Sequence, residues 1–408
     1  MPSGRHQNAV SLSSQSPPAR IVIQTLNPLN LIIIKKNTLF LAIAFAALSL
    51  TAQAQTLVGY RSPNPGTGNI SYKMAIEPQF DYIALDFSEG MACVRFKMNE
   101  FHTYIDTTGK PVFDKKYVNV GPFSNGYAAV EVEPGSANYS FIDHKGNTLT
   151  EQTYRMPRDF SEGYAAIKVD VSGGGHYRYN YMDSEGKLVG EPRFLAANNF
   201  SEGHAAVQGS NKNWMVLNKR FVASASNLPY EEINEFHEGL ARVRIGERYG
   251  FIDTLGNLKI PMTDDYCDYS FSEGLCLIKR AGRFGYMDMT GKVVIPCRFT
   301  YAEAFSCSRA VVSESAPDES GMITERGVID HNGKFVIEEK KFDFIETFSE
   351  DYAIVSKDGK KGFINVNGKV VIPMIYENAR PFHEGYAAVR VNRKWGFLKL
   401  DLTDEKPF

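Results

Sequence analysis

Tryptophan and cysteine are the scarce residues of this chain, with two Trp and five Cys in 408 residues. No C-x-x-C pair occurs, and the spacing of Cys93, Cys267, Cys276, Cys297 and Cys307 matches no zinc site, which argues against a structural zinc module. An odd count leaves at least one thiol unpaired in a monomer. Four of the five fall between 267 and 307, where one or two disulfides are compatible with an oxidising compartment. Cys93 and Cys276 read equally well as small buried hydrophobes in strands.

An excess of charge of one sign is also missing. Lys and Arg number 45 and Asp and Glu 47, with no basic block, which argues against a nucleic-acid partner. The apolar run 38–48 is too short to span a membrane comfortably. No long 3.6-residue period follows it, so helices are not expected. Gly173, Gly174 and Gly175 are not followed by the Lys-Ser/Thr of a phosphate loop, and no local motif marks a Ser-His-Asp or Cys-His arrangement. The sequence therefore leads us to expect no catalytic residue, no cofactor and no metal.

What is present is repetition. Phe-Ser-Glu-Gly or a close variant begins at Phe87, Phe123, Phe160, Phe200, Phe236, Phe271, Phe305, Phe348 and Phe382, with spacings of 36, 37, 40, 36, 35, 34, 43 and 34 residues. A near-constant period of this size signals one supersecondary unit repeated in tandem. A second landmark is an apolar pair followed by Asp-x-x-Gly, as in Tyr104-Ile105-Asp106 to Gly109 and Phe251-Ile252-Asp253 to Gly256. Asp accepts nearby backbone N–H groups and Gly tolerates positive φ, which is the chemistry of a hairpin with a left-handed glycine. Short β-branched and aromatic runs surround both landmarks.

We therefore expect an all-β fold of nine tandem repeats, each of about 35 residues and forming a three-stranded antiparallel meander. From the turn Asp or Asn to the next Phe the gap is always 17 or 18 residues, whereas the gap from Phe-Ser-Glu-Gly to the turn ranges from 14 to 22. Insertions thus collect in one loop, between the meander's first two strands, and on one edge of the array. The last copy ends after its second strand near Leu400, while residues 73–78 resemble a lone third strand. An N-terminal strand of that kind could complete the last repeat and close a β-propeller. Nine blades exceed the usual four to eight, and blades normally have four strands, so an open curved or superhelical solenoid-like array is the preferred expectation and the closed propeller the alternative. A short distance between Ile76 and Phe397 decides for closure.

The last repeat reads Lys394-Trp395-Gly396-Phe397. Together with Phe-His-Glu-Gly, Asp-x-x-Gly-Lys and Val-Ile-Pro, it resembles the WG-repeat family of β-rich tandem repeats, found mainly in bacterial proteins. The resemblance covers roughly 73–400. The name-giving pair varies: Tyr249-Gly250 and Phe284-Gly285 are near matches, Trp214-Met215 loses the glycine, and Arg326-Gly327 and Lys361-Gly362 lose the aromatic. The family implies a repeat scaffold without general catalytic residues. The pair itself reads as a packed aromatic beside a glycine that lets a neighbouring backbone or ring approach closely.

Lys35-Lys36, the run 38–48 and Ala52-Gln53-Ala54 read as a secretory signal peptide cleaved after Ala54, with a secreted or periplasmic product. The expected organisation is an N-terminal extension plus signal peptide (1–54), a linker (55–72), the repeat array (73–400) and a polar tail (401–408).

The recurring Glu89, Glu162, Glu202, Glu238, Glu273 and Glu384 form a tempting acidic row, but a residue present in nearly every copy reads as a turn element. Function is expected where the repeat breaks. Three loops do so: 133–139, the glycine-rich and aromatic 170–179, and the acidic 313–325. Tyr139, His176, Tyr177, Arg178 and Tyr179 are the candidate ligand-binding residues. The leading expectation is a non-enzymatic extracytoplasmic scaffold binding a polypeptide or a cell-envelope glycan. One alternative is an envelope hydrolase with two carboxylates about 5–10 Å apart on the same edge. A purely structural envelope protein is the other.

Overall fold

The structure, a computed structural model, describes residues 71–401, all within one compact unit spanning Asn64–Phe408. The expected signal peptide, most of the linker and nearly all of the C-terminal tail lie outside the described residues.

The described residues fold into nine small antiparallel sheets, one per repeat, and we number them blade 1 (Phe87) to blade 9 (Phe382). Blade 5 shows the regular unit: Glu232–Ile233, Leu240–Ile245, Arg248–Asp253 and Leu258–Thr263 pair in chain order. The expected three-stranded meander is thus extended by a short strand just before the motif phenylalanine. Its two residues are too few to leave a periodic signal in the sequence.

Of the two expected arrangements, the closed ring is the one observed. Ser71–Phe80 pairs antiparallel with Lys394–Asp401 and supplies the fourth strand of blade 9. Ile76 stands directly opposite Phe397. Across the same junction Arg380 of blade 9 grips Asp86 of blade 1 through Nε and Nη2 at 2.8–3.0 Å. Lys394 Nζ lies 2.5 Å from Asp81 Oδ1. Ile76, Phe80 and Phe87 share a buried cluster with Tyr386, Ala388 and Phe397.

The motif phenylalanines hold neighbouring blades together. All nine are buried, with at most 3% of their surface exposed. Phe160 packs edge-on against Phe141 of the preceding blade at 4.8 Å, Phe271 against Phe251 at 4.9 Å, and Phe382 against Phe363 at 4.9 Å. Phe87 makes the same contact with Phe397 at 4.9 Å, so the pattern runs on through the closure. Each such burial contributes about 2–3 kcal/mol, with an edge-to-face term of about 1 kcal/mol.

The Phe-Ser-Glu-Gly turn is a two-residue hairpin with both central residues at positive φ: Glu202 at 52° and Gly203 at 77°, closed by Ser201 N–H to His204 O and the reverse. This is type I′ geometry, which matches the twist of the strands it joins. A non-glycine residue in the left-handed region costs about 1–2 kcal/mol, so the glutamate must gain something elsewhere. Its carboxylate accepts the amides of the next blade's turn: Glu202 takes Glu238 N at 2.6 Å and Gly239 N at 2.7 Å. Glu384 takes Glu89 N and Gly90 N across the closure. Asn125 and Cys307 occupy the same position and accept Gly163 N and Asp351 N. Serines add an inner relay, as in Ser201 Oγ donating to Phe236 O at 2.6 Å. The acidic row is a circular belt of turn caps, as its recurrence implied.

Candidate functional site

The antiparallel path puts the Phe-Ser-Glu-Gly and Asp-x-x-Gly turns on one face of the ring. Loops between the second and third strands, including 96–102, 132–137 and 171–176, lie on the other. The short first strands are innermost, because Arg158 of blade 3 reaches Glu235 of blade 5 at 3.4 Å, skipping blade 4. A direct contact across two repeats is possible only where blades converge.

Regularity fails in one arc. Six sheets have four strands, blades 1 and 2 have three, and blade 3 has two. Missing strands shrink to single bridges such as Val120 to Val130 and Tyr179 to Phe194. On the loop face of this arc lies a cleft of 660 Å³, walled by Leu85, Val120 and Pro157 and rimmed by Tyr82, Met98 and Met156. The three rim side chains are 43%, 60% and 71% exposed. Met156 also sits at φ 42°, an unusual place for an unbranched apolar residue.

One wall is a fixed polar network. Arg95 Nε donates to His102 Nε2 at 2.8 Å, and its guanidinium lies 5.5 Å from the Tyr82 ring centre. With Nε2 accepting, Nδ1 carries the proton and donates to Val118 O at 2.7 Å. Burial first, and then the Arg95 charge, depress the His102 pKa, keeping the ring neutral. Asn119 and the Ala137 amide both bond to the buried Glu131 carboxylate beneath the loop 133–139. Asp159, on the cleft floor, differs. Among the described residues no hydrogen bond or ion pair reaches it, and burial raises its pKa without any cation to oppose the shift.

A second cleft, of 370 Å³, is lined by Asn138, Arg155, Lys168, Asp170 and Tyr177 among others. Arg155 Nη1 approaches Tyr177 Oη at 3.4 Å. Asp170 accepts the amides of Ser172 and Gly175, which organise the glycine loop and hold its carboxyl below the usual range.

The five expected contact residues are dispersed. Tyr139 lines the larger cleft, with burial and then Glu131 raising its phenol pKa, and Tyr177 lines the smaller. Tyr179 packs on the core shared by blades 3 and 4, under the Lys168 ammonium at 5.2 Å. Arg178 turns back to Tyr177 O at 2.9 Å, and exposed His176 lines neither cleft. His204, which follows the blade 4 turn, bonds through Nδ1 to Glu202 O at 2.9 Å. Sequence reasoning passed over Asp159, Tyr82, Met98 and Met156. The residue before each motif Phe varies freely (Asp86, Pro122, Asp159, Asn199, Glu235), so nothing marked Asp159.

The remaining long loop, 313–325, is built from the repeat's own chemistry. Asp318 Oδ1 accepts Ser320 N and Met322 N, and Gly321 has φ 81°. All five cysteines are free thiols. Burial pushes the Cys267 thiol up to about 12, an unreactive value. Among the described residues no group of three or more His, Cys, Asp or Glu is placed to hold a metal ion.

Comparison with solved structures gives a eukaryotic initiation factor at TM-score 0.51 and 11% identity, covering 80% of this chain and 91% of that one. BamB from Moraxella catarrhalis (TM-score 0.36, 11% identity, 71% and 95% covered) and AztD from Citrobacter koseri (0.38, 12%, 62% and 84%) are more distant. At such identities the first likeness speaks to fold alone. No curated protein matches the sequence. The WG containing repeat profile matches nine stretches, 71–97, 103–133, 139–170, 181–214, 230–249, 249–283, 284–315, 327–360 and 362–395. With most of the ring matched repeat by repeat, the chain belongs to the WG containing repeat family.

Proposed function

We propose that this protein is a non-catalytic, extracytoplasmic binding scaffold that holds an extended partner on the loop face of blades 1–3. One observation carries the reading: departures from the repeat concentrate in that arc, where the 660 and 370 Å³ clefts, two of the three irregular loops and the missing strands coincide. Elsewhere the blades are nearly uniform, which is what a scaffold requires. Each cleft is lined by a single carboxylate, Asp159 in one and Asp170 in the other. Glycoside hydrolysis asks for a facing pair, so we favour binding over hydrolysis. The sequence signal at 35–54 supports export.

The test is to incubate the purified protein with cell-envelope fractions and a glycan array. Saturable binding that disappears when 171–178 is deleted is the expected result. Binding that survives the deletion refutes the loop edge, and no binding at all favours the purely structural role. Recovery of the protein outside the cytoplasm, beginning at Gln55, checks the compartment.

A further inference from the structure

Resting on the scaffold reading, we propose that the cleft of blades 1–3 is a subsite for a lysine or arginine side chain of an extended polypeptide, with Asp159 as its counter-ion. Asp159 lines the floor, is half-buried and has no hydrogen-bonding or charged partner among the described residues. A carboxylate so placed is under-solvated, and an incoming cation restores what folding removed. Arg95, the one cation lining the cleft, is committed to His102, the Met98 carbonyl and the Tyr82 face. It leaves the Asp159 carboxylate uncompensated.

The walls fit the rest of such a side chain. Leu85, Val120 and Pro157 offer apolar surface for a methylene stem, and Tyr139 lines the same cleft with an aromatic ring. One feature favours a polypeptide over a small free amine. The rim of Tyr82, Met98 and Met156 is exposed apolar surface in excess of what one amine covers.

The experiment titrates the full protein with a library of short capped peptides, each bearing one lysine, against counterparts bearing norleucine. A chitosan oligomer serves as the amine-bearing glycan. We expect the lysine peptides to bind, the norleucine peptides not to, and Asp159→Asn to weaken binding at least about tenfold. The Asp159→Asn protein should stay folded by circular dichroism, and Glu247→Gln, an exposed acid in blade 5, should bind as the wild type does. Equal binding of norleucine peptides, unchanged binding by Asp159→Asn, or binding of chitosan alone overturns the assignment. Loop-dependent envelope binding without lysine-peptide binding overturns the subsite and leaves the scaffold standing. Absence of both overturns the two together.

Discussion

Ile76 and Phe397 are partners in the ladder that joins the first described strand to the last, and both are essentially fully buried. Almost all of the described residues separate them. The ring is therefore clasped non-covalently by one N-terminal strand laid on the last blade, in a cluster that also takes in Phe87 of blade 1. Ile76→Ala should cost about 2–5 kcal/mol of unfolding free energy, the range for removing a buried aliphatic side chain. Phe397→Ala should cost about 3–5 kcal/mol. The sharper test is the double mutant. Residues in contact couple, whereas distant ones add. Denaturant unfolding should show a clear shortfall from additivity for the pair, and strict additivity would contradict closure in solution.

The glutamate belt makes a graded prediction at Glu202. Glu202→Ala removes two charge-assisted hydrogen bonds to the blade 5 turn and should lower stability by about 1–3 kcal/mol, toward the low end because the turn is exposed. Glu202→Asn should cost less. Asparagine adopts positive φ more readily, and Asn125 already shows that its shorter side chain reaches one amide of the next turn at 2.7 Å. Thermal melts ordered wild type, Asn, Ala support the relay. An alanine variant as stable as the asparagine variant would contradict it.

Period, strand content and both turn types were legible because each copy votes for the same local chemistry. The repeated glutamate read as a turn element, and its partner across the blade boundary follows from one repeat meeting the next. The glycine of the name-giving pair was legible too. A Cβ at Gly285 would lie 2.6 Å from Ile295 O and 2.7 Å from Cys297 N, where the fourth strand bulges inward. Closure was written only faintly, in the strand-like 73–78. It depends on the total rotation accumulated over nine blades, which no single repeat encodes. The clefts were not legible, because Asp159, Tyr82 and Met156 come from different blades at positions where the repeat imposes nothing. Of the expected contacts, Tyr139 and Tyr177 line a cleft, whereas Arg178 is folded back on its own backbone.

Acid should loosen the belt at Glu273. Burial alone would raise this carboxyl. The hydrogen bond from His331 at 2.9 Å and the Ser308 amide override it and hold the pKa below the usual range. A depressed carboxylate contributes stability that is present above its unfolded value, about 4.3, and lost as pH falls through the lower folded value. Glu273→Gln should therefore flatten the acid limb of the stability curve and change little in relative terms below that window. A variant whose acid limb parallels the wild type would remove Glu273 from the account.

Asp159 should act in the opposite sense. Its pKa is raised by burial, so its ionised form opposes folding. That penalty is absent below the unfolded value of about 3.9, grows as pH rises through the window up to the folded value, and is complete above it. Asp159→Asn removes the charge at nearly constant volume, so it should raise the melting temperature at neutral pH and leave it unchanged in strong acid. A residue that costs the fold stability without any structural partner is held for something other than the fold. If the variant instead melts lower at neutral pH, Asp159 has a stabilising partner, and its place as an open counter-ion is lost. If it melts higher while lysine peptides no longer bind, the same carboxylate accounts for both the instability and the recognition.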